Sequence, residues 1–216
     1  MRLIGRSAGA RHGVRVKTRV IQVDPQDIGF VQFPEFFWQR GHSKKRISVL
    51  DGDWDRIIDG RLYWSGKYEQ IRGVDTGMLP IERFVFFASA KAHFCDGLHW
   101  DDTEWVQWVR RTRMRRYKTD ADISARLQFL DTLYEACLAG KYQDQDNDLP
   151  LINVGRDDRL SLEDGRHRLC VAIIAGLRDI RVSVGTIHPL SHASRYGAQV
   201  IEKAPHRGLA RFFAVR

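Results

Sequence analysis

Residues 152–184 read INVGRDDRLSLEDGRHRLCVAIIAGLRDIRVSV, and this stretch decides the fold. Apolar runs over 151–154 and 159–162 flank a polar turn at 155–158, which predicts two short strands. Asp164-Gly165 then turns the chain into a helix over 166–175, stopped at Gly176, and a further strand is expected over 180–184. Strands and a helix in so short a span place the chain in the α+β class. The helix opens on Arg166, His167 and Arg168. The first N–H groups of a helix lack internal partners and its dipole is positive there, so two guanidiniums and an imidazole make a site suited to phosphate oxygens. Gly165 lets the backbone approach a ligand closely, because no Cβ stands in the way. The plainer alternative is an exposed basic helix start with Arg166 and Arg168 solvated.

On the N-terminal side, VRVKTRVIQV over 14–23 alternates apolar and polar residues, as a half-buried strand does, until Asp24-Pro25 breaks it. The chain over 29–77 is aromatic and Gly-rich, with a strand-like piece at 47–50. A helix over 80–94 is expected, with Pro80 in its first turn and Asp96-Gly97 as its stop. Asp101 or Asp102 can cap another helix running to about residue 117, with Glu104 in its first turn. Ile123, Leu127, Leu130, Leu133, Tyr134, Cys137 and Leu138 recur at helical spacing, and Gly140 follows as a stop. An acidic loop carrying Asp144, Asp146 and Asp148 closes at Pro150. Beyond about 185 no periodicity places the residues.

Asp164-Gly-Arg-His-Arg168, preceded by a strand and followed by Leu-x-x-Ala-x-x-x-Gly-Leu and another strand, resembles the ParB/sulfiredoxin-like superfamily. The turn is most similar to those of its free-serine kinase and sulfiredoxin-type members. The resemblance covers about 35 residues well, and VRVKTRVIQVDPQDI is similar to the opening strand of these domains. It implies a turn that binds nucleotide phosphates: ATP or ADP in the enzymes, CTP in chromosome-partitioning clamps. Carried over, Gly165, His167 and Arg168 would hold phosphates, and Asp164 would shape the turn or approach a metal. Arg166 stands where the kinases have His. Val49-Leu-Asp-Gly-Asp-Trp-Asp55 and Phe94-Cys-Asp-Gly-Leu-His-Trp-Asp-Asp-Thr-Glu104 resemble motifs of uncharacterised ParB-like proteins.

The expected organisation is a basic flexible arm over 1–13, one ParB/sulfiredoxin-like domain over 14–190 and a C-terminal extension over 191–216. The domain's core would be 14–28 and 149–185, with 29–148 a mainly helical insertion. The implied activity is phosphotransfer from ATP or ADP, with Mg²⁺, to a small hydroxyl-bearing acceptor such as a sugar or amino acid. Arg166 or Arg156 would offset developing charge, and Asp53 or Asp55, or less favourably Asp27, would take the acceptor proton. The other reading is a module that binds CTP or nucleic acid without transfer chemistry. A nuclease ranks last, for want of a compact metal-ligand cluster.

Composition fits these readings. The 216 residues, 43% hydrophobic and with six Trp, suffice for a real core and exclude general disorder. No run approaches the roughly 18 apolar residues that a membrane span needs. Lys and Arg outnumber Asp and Glu by 35 to 27, a surplus of +8 that favours an anionic partner. Arg110, Arg111, Arg113, Arg115, Arg116 and Lys118, interleaved with Trp105, Trp108 and Tyr117, suggest a nucleic-acid surface or a solvated helix face. The N-terminal run Arg2, Arg6, Arg11, Arg15, Lys17, Arg19 has no apolar segment of a secretory signal, though an organelle transit peptide shares its look. Cys95, Cys137 and Cys170 form no CxxC pair and read as buried thiols in a reducing cytoplasm. His93, Cys95 and His99 lack a fourth ligand, and Asp51, Asp53 and Asp55 miss the calcium-loop spacing, with Arg56 at its glycine position. There is no Walker A loop, GxGxxG, GxSxG or HExxH.

Overall fold

The computed structural model describes residues 19–32, 47–64, 67–69, 77–112, 117–142 and 148–200. The strands are β1 (Val20–Val23), β2 (Phe30–Gln32), β3 (Ser48–Val49), β4 (Arg61–Trp64), β5 (Lys67–Glu69), β6 (Met78–Pro80), β7 (Leu151–Val154), β8 (Leu160–Asp164) and β9 (Ile180–Ile187). The helices are α1 (Val85–Asp96), α2 (Glu104–Thr112), α3 (Asp120–Leu138), α4 (Arg166–Ile174) and the short α5 (Gly197–Val200). Seven strands form one mixed sheet in the order β1-β9-β7-β8-β2-β6, with β3 also paired to β9; β4 and β5 form a separate hairpin.

Side-chain alternation gives the sheet two unlike faces. Ile21, Val23, Val31, Ile152, Val154, Leu160, Leu162, Ile180, Val182 and Val184 share the apolar face by register, and all are buried. They join the helices in a single core cluster. The opposite face carries Gln32, Asn153, Ser161 and Glu163, also buried. Burying such groups requires partners. Gln32 supplies them, with Ser161 Oγ donating to its Oε1 at 2.8 Å while its Nε2 donates to the Gly77 carbonyl at 2.8 Å.

Local chemistry explains the helices. Thr119 and Asp122 form a reciprocal capping box at the start of α3, and the buried Ile123, Leu127 and Leu130 point to the core. Gly97, Gly140 and Gly176 follow α1, α3 and α4 with positive φ, as expected of helix stops. Phe86 of α1 meets Trp105 of α2 edge-on, with centroids 5.1 Å apart, and Phe94 stacks on Tyr134 of α3 at 4.1 Å. Full burial of Phe84, Phe86 and Trp105 contributes roughly 1.5–3 kcal/mol each.

Several expectations change. The mainly helical segment 29–148 also supplies strands to the core: β2, β3 and β6 lie in the main sheet, so the sheet extends beyond 14–28 and 149–185. The helix expected from Pro80 starts at Val85, because Pro80 pairs with Phe30 in the sheet and Ile81–Arg83 make a 3-10 turn. Residues 191–200 are tied into the domain rather than extending from it. Asp158 accepts the backbone N–H groups of Arg195 and Tyr196, and the buried Tyr196 donates its hydroxyl proton to Asp27. Cys95 is exposed, while Cys137 and Cys170 are buried. The 1–13 arm, the strand start at 14–18, Asp144, Asp146 and residues 201–216 lie outside the described residues. Among the described residues no helix is long and apolar enough to cross a membrane.

Candidate functional site

β8 ends at Asp164, whose Oδ1 accepts the Gly165 N–H at 2.8 Å. Gly165 has φ 71°, in the left-handed region, and a Cβ there would lie 3.0 Å from Pro150 Cα. Glycine is therefore required twice over, by backbone conformation and by space. α4 begins at the next residue, and no side chain hydrogen-bonds its first turn as a cap. The N–H groups of that turn have no acceptors within the helix.

The three side chains that follow go different ways. Arg166 is half-buried, and its Nε donates to the Glu163 carbonyl at 3.0 Å. Burial pushes its guanidinium down to about 10, against the pull of Asp164 and Cys170, so it stays charged at neutral pH. Arg168 donates from Nη2 to the Asp148 carbonyl at 2.6 Å and pairs with the Asp148 carboxylate at 3.0 Å. His167 turns inward and is buried. Its ring stacks on Phe86, centroids 4.0 Å apart, and meets Trp105 edge-on at 5.4 Å. Its Nδ1 accepts from Arg126 Nε at 3.1 Å, with Arg126 Nη2 at 2.7 Å. The expectation that His167 holds a phosphate is thus corrected: the ring is packed among aromatic side chains and engaged by Arg126.

Arg126, on α3, is the residue the sequence reading passed over. Its position offered a signal, since 126 falls on the Ile123-Leu127-Leu130 stripe, where a charge needs a partner. Together Arg126, Arg166 and Arg168 gather three guanidiniums around the opening of α4.

Arg156, Asp53 and Asp55 stand elsewhere. Arg156 lies in the turn before β8 and the Asp164–Arg168 turn comes after it, so about 17 Å of strand separates them. Asp55 is 0% exposed; its Oδ2 accepts the Arg156 backbone N–H at 2.6 Å, and its Oδ1 pairs with Arg156 Nη2 at 2.8 Å. A Cβ on Gly155 would come 2.9 Å from Asp55 Oδ2, so glycine also permits this approach. The same guanidinium donates to the Gly52 carbonyl at 2.7 Å and to the exposed Asp53 at 3.0 Å. Asp55 and Arg156 are a structural clamp that pins the 50–55 loop, and neither is placed beside the turn. Asp55 has no solvent contact, and Asp53 is bound to Arg156, at the other end of β8 from the Asp164–Arg168 turn. Asp27, the weaker candidate base, is occupied by Tyr196 and Arg195.

The basic run loses its aromatic component. Trp105, Trp108 and Tyr117 are buried and cannot stack on bases. Arg110 pairs with Asp101 at 2.7 Å, Arg111 and Lys118 are exposed, and Arg113, Arg115 and Arg116 lie outside the described residues. Glu104, in the first turn of α2, accepts from Arg61 at 2.5 Å and from Tyr63 at 2.7 Å. His93 has a structural place, stacked on Trp100 at 4.2 Å with Nδ1 2.7 Å from the Leu98 carbonyl. Among the described residues no group of three or more His, Cys, Asp or Glu is arranged to hold a metal ion. Compared with family models, with curated proteins and with solved structures, the chain matches none.

Proposed function

We propose that the turn at 164–168 binds the phosphates of a nucleotide, and that the chain transfers phosphate from ATP or ADP to a small hydroxyl-bearing acceptor such as a sugar or amino acid. The observation that carries the proposal is the meeting, at one helix start, of an open first turn, a glycine and the guanidiniums of Arg126, Arg166 and Arg168. The transfer chemistry and the choice of nucleotide come from the ParB/sulfiredoxin-like resemblance of the turn.

In this reading the first-turn N–H groups and Gly165 receive phosphate oxygens. Arg168 exchanges Asp148 for phosphate. Asp148 is exposed, so its pair is worth about 0–1 kcal/mol, whereas a hydrogen bond to a charged group contributes roughly 1.5–3 kcal/mol. Arg166 adds fixed positive charge. His167 supports the turn from within and touches no phosphate. Mg²⁺ fits as a companion of the nucleotide, since it is commonly held by one or two carboxylates plus phosphates, and Asp164 is the carboxylate in place. Phosphoryl transfer through a loose transition state asks mainly for positioning and electrostatics. With Asp53 and Asp55 away from the turn, the acceptor's proton passes late to an oxygen of the transferred phosphate or to water as the O–P bond forms and the nucleotide leaves.

A second reading is a module that binds CTP or another nucleotide without chemistry. It is favoured by the separation of Asp53 and Asp55 from the turn. Nucleic-acid binding through 110–118 loses support with the burial of its aromatic residues.

Calorimetric titration of the full chain with ATP, ADP, CTP and GTP, with and without Mg²⁺, tests the proposal. One nucleotide is expected to bind, and Arg168→Ala to weaken it by about tenfold or more. Binding of ATP or ADP without turnover of any acceptor, or preference for CTP, selects the second reading. No binding by folded wild-type protein overturns both.

A further inference from the structure

His167 and Arg126 meet in a way that constrains the imidazole. A guanidinium carries only donors, so the Nδ1 atom it contacts must present a lone pair. Two Arg126 nitrogens, Nε at 3.1 Å and Nη2 at 2.7 Å, converge on that atom. Phe86 stacks on the ring with an interplanar angle of 28°, and Trp105 meets it at 86°.

We infer that Arg126 is a positioning residue that fixes His167 as the tautomer with its proton on Nε2, and that this contact is an acid-sensitive latch between α3 and α4. A proton added at Nδ1 would set an N–H against the donors of a guanidinium, losing their bonds and placing two cations together. Among the described residues, the groups seen against the ring are these. α1 presents Phe86 and α2 presents Trp105, both uncharged, and α3 presents Arg126 itself. On its own helix stand Arg166 and Arg168, and on β8 the carboxylates Glu163 and Asp164; Asp164 accepts the Gly165 N–H and Arg168 is turned to Asp148. Above about pH 6.5, where an unfolded imidazole is neutral, the latch contributes fully to stability; below it the unfolded chain takes up the proton first, and that stability is lost. The inference does not depend on nucleotide binding, but it sets the charge of the proposed phosphate turn: three guanidiniums and a neutral imidazole while the latch is closed.

Nitrogen-15 spectra of the imidazole rings in the labelled full chain test this, with His167 identified among the eight histidines by its loss in His167→Gln. At pH 7 the His167 ring is expected to be neutral and protonated on Nε2. In Arg126→Met its titration midpoint is expected to rise by at least one pH unit, a tenfold change in proton affinity. An equal midpoint in both proteins overturns the inference. Should Arg126→Met not fold, the wild-type spectrum still decides: a ring protonated on Nδ1, or an imidazolium at pH 7, overturns it, and a neutral Nε2–H ring supports it.

Discussion

At Asp55 a carboxylate without solvent contact is held by the backbone and guanidinium of one arginine, Arg156. Removing one partner of a buried pair leaves an uncompensated charge, which typically costs about 3–5 kcal/mol. Arg156→Met is expected to lower stability by that order in urea unfolding; a loss below about 1 kcal/mol would show that solvent reaches Asp55. Glu104 behaves differently. Burial raises its carboxyl, but the hydrogen bonds from Arg61 and Tyr63 outweigh this and hold it below the usual range. Its contribution is present above the unfolded value of about 4.3 and is lost as pH falls through the lower folded value. Both side chains of the ion pair are substantially exposed, so about 0.5–1 kcal/mol is at stake. Melting of wild type and Glu104→Gln should therefore differ at pH 7 and draw together as pH falls below about 4.3. Sequence marked Asp55 and Arg156 as noteworthy and put Glu104 in the first turn of its helix, where it stands, but did not show what the three side chains bind. Partners 101 and 43 positions away leave no trace in local spacing.

Elements were legible where backbone chemistry is local. Stops at Gly97, Gly140 and Gly176 could be read because each needs the left-handed conformation that glycine adopts without strain. The two strands around 155–158 could be read from apolar runs flanking a polar turn. Starts were harder, since whether Pro80 opens a helix or ends a strand depends on a distant neighbour, Phe30. The aromatic residues of α2 show a related ambiguity, because indoles at helical spacing suit a core and a base-stacking surface equally. The structure buries them, so Trp108→Ala is expected to destabilise the fold by roughly 3–5 kcal/mol. Weaker nucleic-acid binding with stability unchanged would contradict that placement. At the turn into α4, Gly165→Ala is expected to lose about 1–2 kcal/mol from the left-handed backbone alone, with the approach to Pro150 adding to it. Thermal unfolding measures this directly, and an unchanged midpoint would mean that the turn relaxes to another conformation.

Across the whole molecule the chain is joined by contacts between its distant parts. Asp27 binds Arg195 and Tyr196, while Asp158 holds the same two residues by their backbones. Burial, with the hydrogen bond to Asp27, pushes the Tyr196 hydroxyl up to about 12. Because the folded form keeps its proton while the unfolded form releases it near 10, this tie loses its contribution as pH rises from 10 towards 12. An ultraviolet alkaline titration should show late tyrosine ionisation, and Tyr196→Phe should reduce it by one group. The sheet order has a consequence in time as well. β1 has its registered partner in β9, whose first residue is Ile180. At roughly 5–20 residues per second, a ribosome takes on the order of 8–30 s to make the intervening chain. Throughout that interval the nascent β1 has an open hydrogen-bonding edge, so the protein is most exposed to mispairing while it is being translated.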